Sequence, residues 1–232
     1  MLGEFLEISL PTPDMLQSLE FYRQLGFSEA STGEGLKHPY AVVTDGRLYL
    51  GLHRREPAVP ALSFVLPELV RRLPDFEALG LEFDFCEMGL DQFNRFGFPD
   101  PDGGQVALLE ARTYSPVHAG HLSPSLCGYF LEYRLPVRRA ADSARFWESL
   151  GLIVVPAGES GLPYAQASWS GINLGLLEAG PRSRPTLVFE NGALGETAAL
   201  LEMRGLPIQN DTEGLRVETP EGINLLLRPE QD

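Results

Sequence analysis

The chain is poor in several things, and each scarcity closes off a class of function. It has only two cysteines, Cys86 and Cys127, in 232 residues. A disulfide scaffold is thereby excluded; the pair reads as free thiols, and the reducing cytoplasm is the expected compartment. Positive charge is short as well: 18 Lys and Arg stand against 32 Asp and Glu, a net charge of −14. Phosphate backbones and acidic membrane surfaces would be repelled, so neither nucleic acid nor membrane is an expected partner. No apolar run reaches the roughly 18 residues that a spanning helix needs. The opening Met1-Leu-Gly-Glu-Phe5 has neither the basic start nor the apolar block of a signal peptide. Also missing are a G-x-S-x-G elbow, a G-x-x-x-x-G-K-[ST] loop, a C-x-x-C pair and an H-E-x-x-H helix, which removes the commonest hydrolase, nucleotide, redox and zinc-protease signatures.

What the chain does have is a repeat. Phe5 to Phe27 returns as Phe130 to Leu152, without gaps, at an offset of 125. Nine of the 23 aligned positions are identical, where ordinary residue usage gives roughly one or two. Glu77-Ala-Leu-Gly-Leu81 and Glu202-Met-Arg-Gly-Leu206 keep the same offset. A unit this long is a duplicated domain, not a solenoid repeat. The expected division is residues 1–115, a linker at 116–127, and residues 128–232, each half within the usual size of a domain.

Within each half a strand-helix-strand-strand-strand pattern runs twice. Glu7-Ile-Ser-Leu alternates as a strand, and Asp14 is placed to cap a helix carrying Leu16, Leu19, Phe21, Tyr22 and Leu25, with Gly26 ending it. Pro39 to Thr44 and Arg47 to His53 flank Asp45-Gly46 and read as a hairpin with that dipeptide as its turn. Ala61–Leu66 opens the next unit, Glu68–Leu79 is its helix, irregular at Pro74, and Gln105–Leu109 closes the half. The second half repeats this with helices expected at Ser143–Leu150 and Gly192–Met203, a hairpin about Ser170-Gly171, and closing strand Ile223–Leu227. Residues Asp84 to Phe98, with Phe93, Phe96 and Phe98, form an apolar insert longer than its polar counterpart Gln209–Val217, and read as a lid, an interface or extra core.

Four segments carry a family resemblance. Phe-Tyr-Arg-Gln-Leu-Gly-Phe27 and Phe-Trp-Glu-Ser-Leu-Gly-Leu152 resemble the end of the first helix in the vicinal-oxygen-chelate superfamily, which includes glyoxalase I, bleomycin and fosfomycin resistance proteins and extradiol dioxygenases. Phe98-Pro-Asp-Pro-Asp-Gly-Gly-Gln-Val-Ala-Leu-Leu109 resembles the turn into its last strand, and Thr219 to Arg228 is a weaker copy. The resemblance implies an α+β fold of four βαβββ units, paired into two tandem domains whose strongly curved mixed sheets each enclose a cleft. Metal-dependent members place a His or Gln on a unit's first strand and a Glu on its last. Here the corresponding positions hold Glu7 and Leu131 or Glu132, with Gly51, Ala107, Gly175 and Leu226 elsewhere. A family-type metal is therefore not expected, and no cofactor; Glu7 with His53 is the best remaining ligand pair.

Strand parity assigns the cleft faces. With Ile8, Leu10, Leu50, Leu52, Val106 and Leu108 turned toward the helices, Glu7, Ser9, Tyr49, Gly51, His53, Gln105 and Ala107 face the first cleft. The same parity gives Glu132, Arg134, Asn173, Gly175, Glu190, Asn224 and Arg228 in the second, the more polar of the two. Each also has a plainer reading as the solvated face of a sheet, and Glu132 with Arg134, two apart, suits an ion pair as well as a ligand contact. His38 reads as exposed in a loop, and His118 and His121 as linker residues without chemistry.

The function these residues favour is binding of a small organic molecule, without a family-type metal and preferably in the second cleft, where Arg134 and Arg228 would take an anionic group. The alternatives are a glyoxalase-like lyase or extradiol-type dioxygenase with an atypical divalent site, and a protein–protein module using the aromatic insert. A homodimer is compatible with any of them.

Overall fold

The computed structural model describes residues 1–30, 39–90, 93–111, 125–156, 163–180 and 182–230. The expected linker lies largely outside them, as do His38, His118 and His121.

The first half begins with β1 (Glu4–Pro11). Asp14 then caps α1 (Met15–Gln24), its Oδ1 accepting the amides of Leu16 and Gln17 at 3.0 and 3.1 Å, and so satisfies two of the donors a helix start leaves open. The helix buries Ser18, Phe21 and Tyr22, and Gly26 turns the chain away at φ +87°. There follow β2 (Ser28–Ala30), β3 (Tyr40–Thr44), β4 (Tyr49–His53), β5 (Ala61–Leu66), α2 (Leu69–Glu77), β6 (Phe85–Glu87), β7 (Arg95–Pro99) and β8 (Gln105–Glu110). The second half repeats the sequence as β9 (Tyr129–Val137), α3 (Ala140–Ser149), β10 (Ile153–Pro156), β11 (Tyr164–Trp169), β12 (Ile172–Glu178), β13 (Thr186–Asn191), α4 (Leu194–Met203), β14 (Ile208–Asp211), β15 (Gly214–Glu218) and β16 (Asn224–Pro229).

Each half is one eight-stranded mixed sheet, ordered β2-β3-β4-β1-β5-β8-β7-β6 and β10-β11-β12-β9-β13-β16-β15-β14. In each, two βαβββ units meet where their first strands pair antiparallel, β1 with β5 and β9 with β13. Three expected helix boundaries are corrected. Helix α3 starts at Ala140, three residues before Ser143, because Glu178 Oε1 accepts the Ala140 amide at 2.9 Å and supplies the cap that Arg139 cannot. Helix α4 starts at Leu194, after Asn191 Oδ1 accepts the Ala193 amide at 2.8 Å. Helix α2 is shorter than expected at both ends. The aromatic insert is the β6–β7 hairpin of the sheet: Phe96 and Phe98 are core, and Phe93 is exposed at the cleft.

The halves clasp one another with a pseudo-twofold logic. Asp102, in the turn before β8, accepts the Arg138 amide at 2.8 Å and the Ser143 hydroxyl of α3. Glu221, in the matching turn before β16, accepts the Ser18 hydroxyl of α1 and the Tyr22 phenol, the latter at 3.0 Å. Each half thus holds the first helix of the other through the same kind of contact, the geometry of an isologous interface. Trp169 Nε1 donates to the Gly3 carbonyl at 2.6 Å, Phe27 meets Phe189, and Phe98 meets Phe146, so one apolar cluster runs through both halves.

Candidate functional site

The centre of the first sheet is a patch of small side chains. Register places Gly51, Ser9, Ala61 and Gln105 in one row, and Glu7, Ser63, Ala107 and Gly97 in the next. A shift in the β1–β5 pairing between Phe5 and Glu7 leaves Leu6 unpaired, so that Leu6 and Glu7 both reach the concave side. Small residues along two rows leave a hollow of about 550 Å³, lined by Leu6, Glu7, Ser9, Tyr40, His53 and Ser63 at its base and by Pro57, Ala58, Phe85, Phe93, Arg95 and Leu109 around it. This is within the usual size range of small-molecule sites, and the mix of apolar wall and converging polar groups is typical of them.

Glu7 organises the base. It is 3 % exposed and His53 6 %. The carboxylate accepts Ser9 Oγ at 2.7 Å and the Tyr40 phenol at 2.5 Å, and its Oε1 lies 3.0 Å from His53 Nε2. Ser9 Oγ is also 2.7 Å from Ser63 Oγ, which extends the array across β5. Gly51 makes room for all this: a Cβ there would lie 2.0 Å from Glu7 Oε1. At the rim, Arg95 forks onto Glu87 at 2.8 and 2.9 Å and reaches Glu56 at 3.3 Å. Glu87 above all, and Glu56, raise its pKa further. Gln105 Nε2 donates to Asp84 at 3.2 Å.

The second sheet keeps the staple and changes the rest. Glu132 is buried, the Tyr164 phenol donates to it, and a Cβ on Gly175 would come within 2.6 Å of its carboxylate. Burial, then the Glu132 charge, push the Tyr164 pKa well up. Tyr40–Glu7–Gly51 and Tyr164–Glu132–Gly175 are therefore one repeated device, a carboxylate bridging first and third strands of a unit over a glycine. The matching rows, however, read Gly175, Arg134, Thr186, Asn224 and Glu132, Val188, Leu226, Arg216. Ser9, Ser63, Ala107 and Gly97 have become Arg134, Val188, Leu226 and Arg216, and these larger side chains fill the floor. Arg134 donates through Nε to Glu132 at 3.0 Å and through Nη1 to Glu213 at 2.9 and 3.1 Å. A shallower cavity of about 320 Å³ remains above it.

Of the residues expected from sequence, Glu7, His53 and Gln105 line the first cavity, and Arg134 and Asn224 the second. Glu132 lies beneath Arg134. Arg228 is half-buried with Nε 3.9 Å from Glu213, and Glu190 pairs beside it on β13. Asn173 is exposed and donates to the Leu131 carbonyl at 3.1 Å, and Tyr49 sits opposite Thr44 at the start of β4; neither lines a cavity. In the second cleft the arginine expected to receive a ligand already engages two carboxylates through Nε and Nη1. Tyr40, Ser63, Phe85 and Arg95 were not anticipated. Tyr40 is opposite His53 because the β3–β4 loop has four residues, 45–48, with Asp45 Oδ1 accepting the amides of Arg47 and Leu48; a two-residue Asp45-Gly46 turn would have set a different register.

No family model and no curated protein matches the chain. Solved structures do. A catechol 2,3-dioxygenase superposes with a TM-score of 0.63 at 14 % identity, over 98 % of this chain and 87 % of that one. A variant of homoprotocatechuate 2,3-dioxygenase from B. fuscum, solved in complex with HPCA, gives 0.68 at 15 % identity, over 100 % of this chain and 72 % of that one. A room-temperature structure of an extradiol ring-cleaving dioxygenase from B. fuscum gives 0.65 at 16 % identity, over 100 % and 72 %. Both halves of this chain are covered in each case, and at such identities the likeness establishes the fold alone.

That fold brings with it the question of a divalent metal, and the donors present do not fit one. Among the described residues no three His, Cys, Asp or Glu side chains converge. The nearest approach is Glu7 with His53, one carboxylate and one imidazole, where a centre takes three or four protein ligands. The inward positions beside them on β4 and β8 are Gly51 and Ala107, which carry no donor atom.

Proposed function

On a scaffold of two tandem vicinal-oxygen-chelate domains, we propose that this protein binds a small organic molecule in the cleft of its first half, without a metal centre of the superfamily's type. One observation carries the reading. The two halves share their backbone and their Tyr–Glu–Gly staple, yet only the first keeps Ser9, Ser63 and Ala107 small over a hollow of about 550 Å³. The walls suit an apolar or aromatic body. The Glu7, Ser9, Tyr40 and His53 array suits a hydroxyl or amine that donates a hydrogen bond at the inner end. Cysteine usage supports the cytoplasm as the setting.

The test imports the second half's filling into the first. Compounds that raise the melting temperature of the wild type are titrated against it and against Ala107→Leu, which copies Leu226. The expected result is binding weakened at least ~10-fold by the added side chain. Compounds that bind both forms equally, or no binder in a broad library, would overturn the proposal. Elemental analysis after purification without chelator is expected to show far less than one ion per chain; close to one Zn, Fe, Mn or Ni would overturn the metal-free part.

The buried contact between Glu7 and His53 at 3.0 Å favours a second reading, in which the same cleft performs proton transfer on its bound molecule, the step a glyoxalase-like lyase needs. Turnover of a bound compound, lost in Glu7→Gln with binding retained, would separate catalysis from binding.

A further inference from the structure

The two clefts differ in charge as much as in depth. Around the first, Arg95 is the only guanidinium lining the cavity among the described residues, against Glu7, Glu56, Asp84 and Glu87. The second reverses this. Among the described residues its cavity is lined by Arg134, Arg182, Arg184 and Arg216, with Glu213 and Glu218 the only carboxylates. Counting the carboxylates that engage these arginines from outside, Glu132 and Asp211, and the neighbouring Arg228 and Glu190, five guanidiniums face five carboxylates. The surroundings of this cavity are thus locally balanced in a chain whose net charge is −14.

These arginines are only partly spent on their partners. Arg134 donates through Nε and Nη1, and Arg216 through Nε and Nη2, both bonds of the latter to Asp211 at 3.0 and 2.6 Å. Arg134 Nη2 and Arg216 Nη1 make no hydrogen bond among the described residues. Arg184 meets Glu218 through Nη1 alone, and Arg182 has no ion-pair partner among the described residues. A guanidinium carries five donors in a fixed fork, so a full set of unused N–H groups borders the cavity. Below them lies Asn224, only 8 % exposed, whose side-chain amide lines the cavity and makes no hydrogen bond among the described residues. A buried amide left open toward a cavity is a group that a ligand can satisfy.

From this arrangement we infer that the second half carries a separate site for a compact anion of the carboxylate or phosphate class. Arg182 and Arg184 receive it at the rim, the remaining donors of Arg134 and Arg216 hold its sides, and Asn224 meets it at the floor. The site does not depend on what the first cleft binds. Arg134 serves it as a positioned donor, and Glu132 and Glu213 fix its plane.

Calorimetric titration with inorganic phosphate and with malonate, at low ionic strength and against chloride at matched ionic strength, tests the inference. The wild type is expected to bind at least one of the two with a Kd of about 1 mM or tighter. Arg182→Ala with Arg184→Ala changes two exposed side chains and should weaken that binding at least ~10-fold, as the loss of charge-assisted hydrogen bonds requires. Arg23→Ala with Arg71→Ala, on exposed helix positions of the first half, alters the net charge equally and should leave it unchanged. Tighter binding of malonate assigns a carboxylate ligand, and tighter binding of phosphate a phosphoryl one; either supports the site. No heat above the chloride control in the wild type, or equal weakening by the two double variants, would overturn it.

Discussion

Replacing Gly51 by Ala puts the repeated staple to a quantitative test. The added Cβ would sit 2.0 Å from Glu7 Oε1 and 2.3 Å from its Cδ, well inside contact distance. The backbone at Gly51 is ordinary strand, paired to Ser9 on one side and Val42 on the other, so Ala is acceptable there in every respect but the carboxylate. Glu7 would have to withdraw. Its bonds from Ser9, Tyr40 and His53 would be lost together in a buried setting. Hydrogen bonds to a charged group are worth about 1.5–3 kcal/mol each. Partial repair by rotation of the side chain brings the expected cost to about 3 kcal/mol, or roughly 6–12 °C in melting temperature for a chain of this size.

The same substitution in a Glu7→Ala background should reverse sign. With the carboxylate gone there is nothing for Cβ to strike. Ala then restricts the unfolded chain more than Gly does, and stabilises by about 0.4–1 kcal/mol. Urea unfolding of the four proteins closes the cycle, with an expected coupling of about 3.5 kcal/mol between positions 7 and 51. A coupling below about 0.5 kcal/mol would refute the claim that glycine is there for Glu7, and with it the account of why Gly175 recurs under Glu132.

Arg134→Ala should destabilise by about 3 kcal/mol, since it strands the buried Glu132 while the partly exposed Glu213 returns to water, and Arg134→Lys should recover only part of this because Nε and Nη1 bond in a fixed fork; urea unfolding of both variants checks it. Asp14→Ala should cost about 1 kcal/mol through loss of the α1 cap, whereas Arg139→Ala, at the same place before α3, should cost nearly nothing because Glu178 caps that helix. Cys127 is fully buried and its pKa is pushed up to about 12, chiefly by burial, so a thiol reagent at neutral pH should titrate the exposed Cys86 alone in the native protein and both thiols in denaturant.

The duplication, the βαβββ order and the Asp14 cap were legible because each rests on local pattern: identity at a fixed offset, alternation, and a capping residue before an apolar helical face. Parity on β1 and β8 correctly put Glu7 and Gln105 on the concave side. Tyr40 and Tyr164 could not be read, for reasons of register. In the first hairpin Asp45 closes a four-residue loop through its own side chain, and pairs Tyr40 with His53 instead of Gly51. In the second, the Ser170-Gly171 turn is the expected one, with Trp169 opposite Ile172, but Trp169 is diverted to the Gly3 carbonyl of the other half and so gives no guide to which face is the cleft. The second partner of Arg134 could not be read, because nothing local reveals Glu213, 79 residues on, whose carboxylate comes from the β14–β15 turn.

The comparison between halves separates structural demand from function better than either half does alone. Whatever both copies retain is what the curved sheet requires. Glu7 and Glu132, both buried, each tie to a tyrosine on the third strand of the unit and each cover a glycine on the fourth. Removing the carboxylate would leave a phenol without its partner in both places, so the pressure to keep it is the same with or without a ligand. The positions that differ are free of that demand. Ser9 against Arg134, Ser63 against Val188, Ala107 against Leu226, Gly97 against Arg216 and Ala61 against Thr186 lie on the concave rows and are larger in the second half, while Gln105 against Asn224 runs the other way. Those enlargements close the floor of one cleft and leave arginine donors over it, while the other keeps its depth and its acidic rim. Glu7 is thus part of the scaffold first, and the proposed selectivity of the first cleft rests on Ser9, Ser63, Ala107 and His53.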